Sequence, residues 1–260
     1  MYFSVIRPKI GKEREIAHSW YQLKPLSASS FYQEHQYLWQ FFPAEAGTPQ
    51  DFLFRCMEKD GLPWFYVVAP RAPCPNPQLA ALWEIQTRPY APALMEGDVL
   101  QFEIKVNPVV THDRGGKTAG LKQHHKKHDV VMEYKKQLLQ ARGLTKWGDW
   151  RANHTDSEGK PDPRPNEYAL IQSAMKHWLT QKGQRHGFAV VDGAWQAEGY
   201  TPKTYRYTAP KESKIIQFST VDLQGELTVT EPQKFAQMLQ QGLGRARAFG
   251  CGLMLVKRMI

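Results

Sequence analysis

The chain has 260 residues, with 34 Lys and Arg against 25 Asp and Glu and a formal net charge of +9 at pH 7. This basic balance indicates a polyanionic partner, either nucleic acid or an anionic membrane surface, and 8 Trp, 11 Tyr and 12 Phe favour nucleic acid because their rings are stacking surfaces. Three cysteines without CxxC spacing indicate neither a disulfide framework nor a zinc ribbon. No apolar run is long enough for a signal peptide or a membrane helix, so we expect a soluble, cytoplasmic protein.

The N-terminal part of the chain alternates between strand and helix patterns. Ser30 and Gln33 have the spacing of a capping box and predict the start of a helix, after a polar loop. Asp60-Gly61 between two β-rich runs predicts a hairpin turn. In order, the predicted elements are a strand at 2–6, a helix at 31–42, strands at 52–56 and 64–68, a short helix at 79–82 and a strand at 83–87.

The same order of elements recurs in the C-terminal part. Asn166 is the predicted N-cap of a helix that ends at Gly183, and Thr230 with Gln233 predicts a second capping box. The sequence therefore predicts an α+β protein of two tandem ferredoxin-like (RRM-like, βαββαβ) domains, at 1–91 and 97–260. The predicted strands of the second domain are 98–110, 188–191, 204–208, 214–221, 226–229 and 253–256.

Residues 112–165 form a long, polar interruption of the second domain. Its first part is basic and rich in histidine, and it predicts a solvated arm that contacts phosphates. Metal binding by its histidines is disfavoured, because a Gly- and Lys-rich loop does not hold imidazoles in a fixed geometry. The cations expected to contact phosphates here are Arg114, Lys117, Lys122, Lys126 and Lys127.

Residues 242–252 contain four glycines, Gly242, Gly244, Gly250 and Gly252, around Arg245 and Arg247. Glycines allow a backbone to approach a ligand closely, and two guanidinium groups attract an anion, so the loop is interpreted as an anion cradle. The alternative is a helix C-cap followed by a tight connection to a strand. That alternative needs only one glycine and gains nothing from the two arginines.

The predicted helix at 31–42 carries Tyr32, His35 and Trp39 on one face, because their spacing is three and then four residues. Imidazole is the side chain best suited to proton transfer near neutral pH. A histidine among aromatic residues is, alternatively, a buried side chain with a structural role.

Two separated segments resemble the CasE family of CRISPR RNA endoribonucleases in the type I-E Cascade complex. The first is Tyr32-Gln33-Glu34-His35-Gln36-Tyr37-Leu38-Trp39, followed by Phe42-Pro43 and by residues 51–55. The second covers 225–230 and 242–253, with the glycine-rich loop. Asn107-Pro108 and His186-Gly187-Phe188 extend the similarity over most of the chain outside 112–165.

This resemblance implies metal-independent cleavage of a CRISPR repeat RNA on the 3′ side of its stem-loop, leaving a 2′,3′-cyclic phosphate, with no cofactor. It also implies that the protein stays bound as a Cascade subunit. His35, Tyr32 and, as a candidate, Lys214 take the catalytic positions, and Lys105 joins the cations of the arm and the loop as an expected RNA contact. The alternative is a non-catalytic RNA-binding scaffold. A metal-dependent nuclease is disfavoured, because no carboxylate pair has ligand spacing.

Overall fold

The computed structural model describes residues 1–23, 30–112, 126–151, 154–209 and 212–259; within these ranges, the side chains at 19, 21–23, 30–32, 111–112, 126–127, 206–209 and 212–214 are not described. Two four-stranded antiparallel sheets are built from successive stretches of chain. Among the described residues, no helix is long and apolar enough to cross a membrane.

The N-terminal sheet has the strand order β2-β3-β1-β4. Asp60 and Gly61, with φ of 52° and 75°, form the predicted turn between its second and third strands. Asn76 caps the third helix by accepting from the Leu79 amide at 2.9 Å. The elements are β1 (Tyr2–Pro8), α1 (Glu13–Leu23), α2 (Ser30–Leu38), β2 (Leu53–Lys59), β3 (Leu62–Ala69), α3 (Pro77–Leu82) and β4 (Trp83–Pro89).

The C-terminal sheet has the corresponding order, β10-β5-β9-β8, and a separate two-stranded sheet joins β6 to β7. Both four-stranded sheets therefore have the ferredoxin-like order, and the predicted fold class is confirmed. The division into domains 1–91 and 97–260 stays a prediction. The elements are β5 (Val99–Val106), β6 (Val109–His112), β7 (Lys126–Asp129), α4 (Val130–Ala141), α5 (Glu167–His186), β8 (Phe188–Ala209), β9 (Glu212–Val229), α6 (Pro232–Gln241) and β10 (Met254–Arg258).

The polar loop predicted after the first strand is wrong over α1. Ile16 and Trp20 are both buried, and their spacing of four residues places them on one face of this helix. The charged residues around them hid this short apolar stripe.

The four short strands predicted between 188 and 229 are two long ones. They pair as one hairpin, with register shifts at Val190/Trp195 and Glu198/Thr201. These shifts are β-bulges, and Gly193 and Gly199 lie within them. Conversely, the predicted strand 98–110 is divided at Asn107, whose buried side chain donates to the Ser219 carbonyl at 2.9 Å.

Some predicted helix boundaries are also wrong. The helix predicted at 31–42 is α2, which ends at Leu38. α5 continues past Gly183 to His186 and ends at Gly187, which has φ of 75°. Thr230 does not cap α6, because Glu231 occupies the N-cap without a side-chain bond and Pro232 begins the helix.

The described part of the insert, at 126–151 and 154–165, contains a helix and buried side chains that the sequence did not predict. Asp129 caps α4, and the insert buries Val130, Val131, Leu139 and Trp150. Trp150 lies under Arg142, which also binds Asp162 at 2.6 Å. Residues 113–125, with Arg114, Lys117 and Lys122, lie outside the described residues, as do the side chains of Lys126 and Lys127.

Candidate functional site

The helix α2 and the loop 242–252 meet where the two sheets adjoin. The loop contains a 3-10 turn, Arg247–Phe249, that lies against α2. At Gly250, whose φ is 71°, a Cβ atom would lie 3.3 Å from the Phe54 ring and 3.7 Å from Glu34 Oε2. The loop therefore lies against α2 at Gly250, a position where a larger side chain does not fit easily.

Most of the loop backbone is occupied by internal hydrogen bonds. The amides of 242, 243, 249, 250, 251 and 252 donate to carbonyls of the protein, including Gly252 to Lys105 at 2.8 Å. A Cβ at Gly242 would also meet the Leu53 side chain at 2.9 Å. Some of the glycines in the loop are therefore required by packing. The predicted anion cradle is confined to residues 244–248, which include Arg245 and Arg247.

Arg245 and Arg247 are exposed, and Arg245 belongs to a larger basic patch, defined by Lys182, Arg185, His186 and Arg245. Burial, and then the charges of Arg185 and Arg245, lower the pKa of Lys182. Burial, and then the charges of Lys182 and Arg185, lower the pKa of His186. Like charges held this close favour an anionic ligand, because an anion relieves their repulsion.

Sequence reasoning missed the α5 members of this patch because it read that helix only for its apolar spacing. Lys182 and Arg185 are three residues apart and share a helix face, which was the available signal. Their proximity to Arg245 depends on the tertiary fold.

His35 is buried, with 7% of its surface exposed, between aromatic rings. Its ring lies 5.8 Å from Phe52 and 6.4 Å from Phe54, and its Nε2 accepts from the Trp39 indole N–H at 3.2 Å. An Nε2 that accepts carries no proton, so the neutral ring has its proton on Nδ1. Burial lowers the His35 pKa, which keeps the imidazole neutral at pH 7.

The other two predicted catalytic side chains are not described. Tyr32 is three residues before His35 on α2, which is consistent with a shared face. Lys214 pairs with Tyr207 in the β8–β9 hairpin, four residues before Phe218, whose ring lies 4.8 Å from Phe249 in the loop.

A second lysine, Lys203, lies near α2. Lys203 and Lys105 line an enclosed cavity of about 30 Å³ with Glu34, the neighbour of His35, and Gly250. Burial and the charge of Lys105 lower the Lys203 pKa. Lys105 also lies 3.9 Å from Asp222. Sequence reasoning missed Lys203 because nothing in its local pattern distinguishes it from other strand lysines.

A cluster of ion pairs crosses between the sheets beneath this site. Arg55, on β2, donates to Glu103 on β5 at 2.6 Å and lies 3.4 Å from Asp222 on β9. Its side chain is only 6% exposed. Nearby, Leu53 and Val68 pack against Leu253 to form a small core between the sheets.

Within the described part of the chain, no group of three or more His, Cys, Asp or Glu side chains is placed to hold a metal ion. His128 lies 3.5 Å from Glu133. The histidines at 124 and 125 are outside the described residues.

The two sheets define the class of the protein, a tandem ferredoxin-like α+β protein. A family model described as CRISPR associated protein matches residues 1–258, and the chain belongs to that family. It is 25% identical over 243 residues to the CRISPR system Cascade subunit CasE of Escherichia coli K12, covering 92% of this chain and 94% of that protein. The resemblance to CasE seen in the sequence is confirmed.

Two solved structures share the fold over the whole chain. The CRISPR endoribonuclease Cse3 bound to a 19-nt RNA has a TM-score of 0.57 at 18% identity, covering 99% of this chain and 100% of that chain. Cas6e from Escherichia coli K-12 has a TM-score of 0.52 at 20% identity, with 100% of both chains covered.

Proposed function

We propose that this protein is a metal-independent endoribonuclease that cuts a CRISPR repeat RNA 3′ of its stem-loop and stays bound to the product as a Cascade subunit. The observation that carries the proposal is the position of His35, a neutral imidazole on a helix that lies against the arginine-bearing loop. Family membership, the CasE relative and the RNA-bound Cse3 structure support it.

The chemistry follows from what the attack of a ribose 2′-OH on its own phosphate requires. One proton leaves the 2′-oxygen, another reaches the departing 5′-oxygen, and negative charge accumulates between them. In this proposal His35 transfers one of these protons, Tyr32 orients or donates, and a lysine meets the charge. The products are a 2′,3′-cyclic phosphate and a 5′-hydroxyl.

Two lysines are candidates for that charge-stabilising role. Lys214 is the position that the family resemblance indicates. Lys203 is favoured by the geometry, because it shares a small cavity with Glu34, the neighbour of His35. Single-turnover rates of Lys203→Ala and Lys214→Ala decide between them.

The RNA stem is proposed to lie on the basic patch and the loop arginines, with the arm cations as further phosphate contacts. Arg245→Ala with Arg247→Ala is expected to weaken hairpin binding and to reduce the slope of log affinity against log salt by about two, one phosphate for each arginine. Thermal stability changes little, because exposed arginines contribute little to folding.

Lys160→Ala with Lys234→Ala is the matched control, since it also removes two exposed positive charges, here paired with Glu158 and Glu231. It keeps the salt slope of the unmutated protein. A loop double variant that melts much earlier and binds normally when folded assigns the arginines a structural role instead.

The burial of His35 favours a second candidate function, a non-catalytic RNA-binding scaffold, because a buried histidine bonded to an indole is also what a structural role looks like. Incubation of the purified protein with its own repeat transcript in EDTA, followed by mapping of the RNA ends, separates the two. Cleavage with a cyclic phosphate supports the enzyme, intact RNA that stays bound supports the scaffold, and cleavage only after metal is restored contradicts the metal-independent mechanism.

The lowered His35 pKa also predicts how stability depends on pH. The folded protein protonates His35 less readily than the unfolded chain, whose histidine titrates near 6.5, so stability is retained above that pH and declines as pH falls toward the folded pKa. Between pH 8 and pH 5, the urea concentration at the midpoint of unfolding should fall more for the unmutated protein than for His35→Gln. His177→Gln, on the exposed side of α5, is the control and keeps the unmutated dependence. Equal declines in all three proteins contradict the prediction.

A further inference from the structure

The N-terminal sheet has one face covered by helices and an opposite face that is only partly covered. The helices α1, α2 and α3 bury Ile6, Phe65 and Val67 against its covered face. The alternate residues of the same strands point to the opposite side. There, half-buried rings form an aromatic face, defined by Phe3, Trp64, Tyr66 and Tyr90. On the same side Leu53 and Val68 pack against Leu253, and Phe3, Tyr66 and Tyr90 pack, partly buried, against this small core.

Three rings of the aromatic face lie close together, and Lys59 lies between the rings of Trp64 and Tyr66, at 4.2 Å and 5.8 Å from their centroids. The Phe3 centroid is 6.4 Å from Tyr66 and 5.6 Å from Tyr90. Phe3, Tyr66 and Tyr90 also line a groove of about 440 Å³ that continues to β10, at Met254, Leu255 and Val256. The aromatic face and this groove together extend from the N-terminal sheet toward the junction of the two sheets.

Cations surround these rings. Lys59 lies 4.2 Å from the Trp64 ring centroid, Arg7 lies 5.3 Å from the same ring, and Arg88 lies 5.5 Å from Phe3. Arg7 is paired with Glu84 at 2.8 Å. Lys59 and Arg88 are exposed, and neither forms a salt bridge with a described carboxylate.

We propose that the aromatic face binds a single-stranded segment of RNA, with bases stacked on its rings and phosphates near Lys59, Arg88 and Arg7. Aromatic platforms flanked by positive charge bind single strands in this way, whatever their sequence. A duplex does not fit this role, because its bases are already stacked on one another. The core of a protein interface is usually depleted of charge, so cations among the rings favour RNA over a protein partner.

The cations beside the rings do not block the site. A cation over an exposed ring is a weaker contact than a stacked base, so a base displaces it and leaves the cation beside a phosphate. The choice of RNA over DNA rests on the proposed function. His35 packs against Phe54, on the helix-covered side of the sheet, so the aromatic face is a surface separate from the cleavage site.

The test uses the full-length protein saturated with a repeat hairpin whose nucleotide 5′ of the cut is 2′-deoxy, so that the hairpin site is occupied and uncut. A fluorescein-labelled, unstructured oligouridine of about 12 nucleotides is then titrated by anisotropy at one stated salt concentration. The unmutated complex binds it, and Trp64→Ala with Tyr66→Ala weakens binding by roughly 10- to 100-fold, the loss of one or two stacked bases.

Two further variants keep the test independent of folding. Lys59→Glu with Arg88→Glu changes exposed side chains only and is expected to weaken binding by a similar factor. Trp147→Ala is the matched control, because Trp147 is also half-buried with cations near its ring, Lys135 and Arg164, but lies on the insert. It leaves oligouridine binding unchanged.

The outcomes separate this inference from the proposed function, since hairpin binding is measured first. If the unmutated protein binds the hairpin but not oligouridine, the inference is overturned and the proposed function still stands. The same holds if all the variants bind oligouridine as the unmutated protein does. Variants that keep the oligonucleotide but no longer assemble with Cascade subunits also overturn it, and assign the face to a protein partner.

Discussion

His35→Ala is expected to slow single-turnover cleavage of the repeat hairpin by roughly 10²- to 10⁴-fold while the hairpin stays bound at near-native affinity. A proton-transfer group contributes in the transition state, so its loss affects the rate far more than the binding. Tyr32→Phe should cause a smaller loss. A substrate with 2′-deoxyribose 5′ of the cut should not be cleaved by the unmutated protein, because it lacks the nucleophile.

The burial of His35 makes a stability control necessary. Trp39→Phe removes the indole donor to Nε2 but keeps an aromatic ring beside the imidazole, so it perturbs the packing without removing the histidine. We expect it to retain most of the activity. Urea unfolding of both variants shows whether a lost rate reflects a lost fold. A folded His35→Ala protein with full activity, or cleavage of the 2′-deoxy substrate, contradicts the mechanism.

Arg55→Ala is expected to lower the free energy of unfolding by about 2–3 kcal/mol. Removing one partner of a buried ion pair leaves the other charge uncompensated, which costs about 3–5 kcal/mol when both are fully buried. The side chains of Glu103 and Asp222 are 37% and 39% exposed, so their contact with water offsets part of that cost. Urea unfolding at pH 7 measures the change.

The matched control for Arg55 is Arg7→Ala, which removes an arginine paired with Glu84 where both side chains are 33% exposed. Its expected cost is much smaller, because solvent screens the attraction between exposed charges. Arg55→Met with Glu103→Gln and Asp222→Asn should recover much of the lost stability, because no unpaired charge then remains. Equal losses for Arg55→Ala and Arg7→Ala would show that the ion cluster does not hold the sheets together.

Local patterns determined much of the fold. The Asp60-Gly61 turn, the Asn166 cap and the alternating strands depend on neighbouring residues, so the sequence predicted them. The errors arose where a local pattern is weak. Among the described side chains of α1, the buried apolar ones are Ile16 and Trp20, and α4 follows a basic, polar segment that obscured its buried valines.

The candidate site divides in the same way. The sequence by itself determined the family, the place of His35 on a helix with Tyr32, and the two arginines of the loop, because each is a short-range motif. Only the tertiary structure decided what these residues contact. It brought Lys203 beside Glu34, Lys182 and Arg185 beside Arg245, and Arg55 against Glu103 and Asp222. These contacts join residues far apart in the chain, and strand pairing and sheet packing, rather than local spacing, bring such residues together.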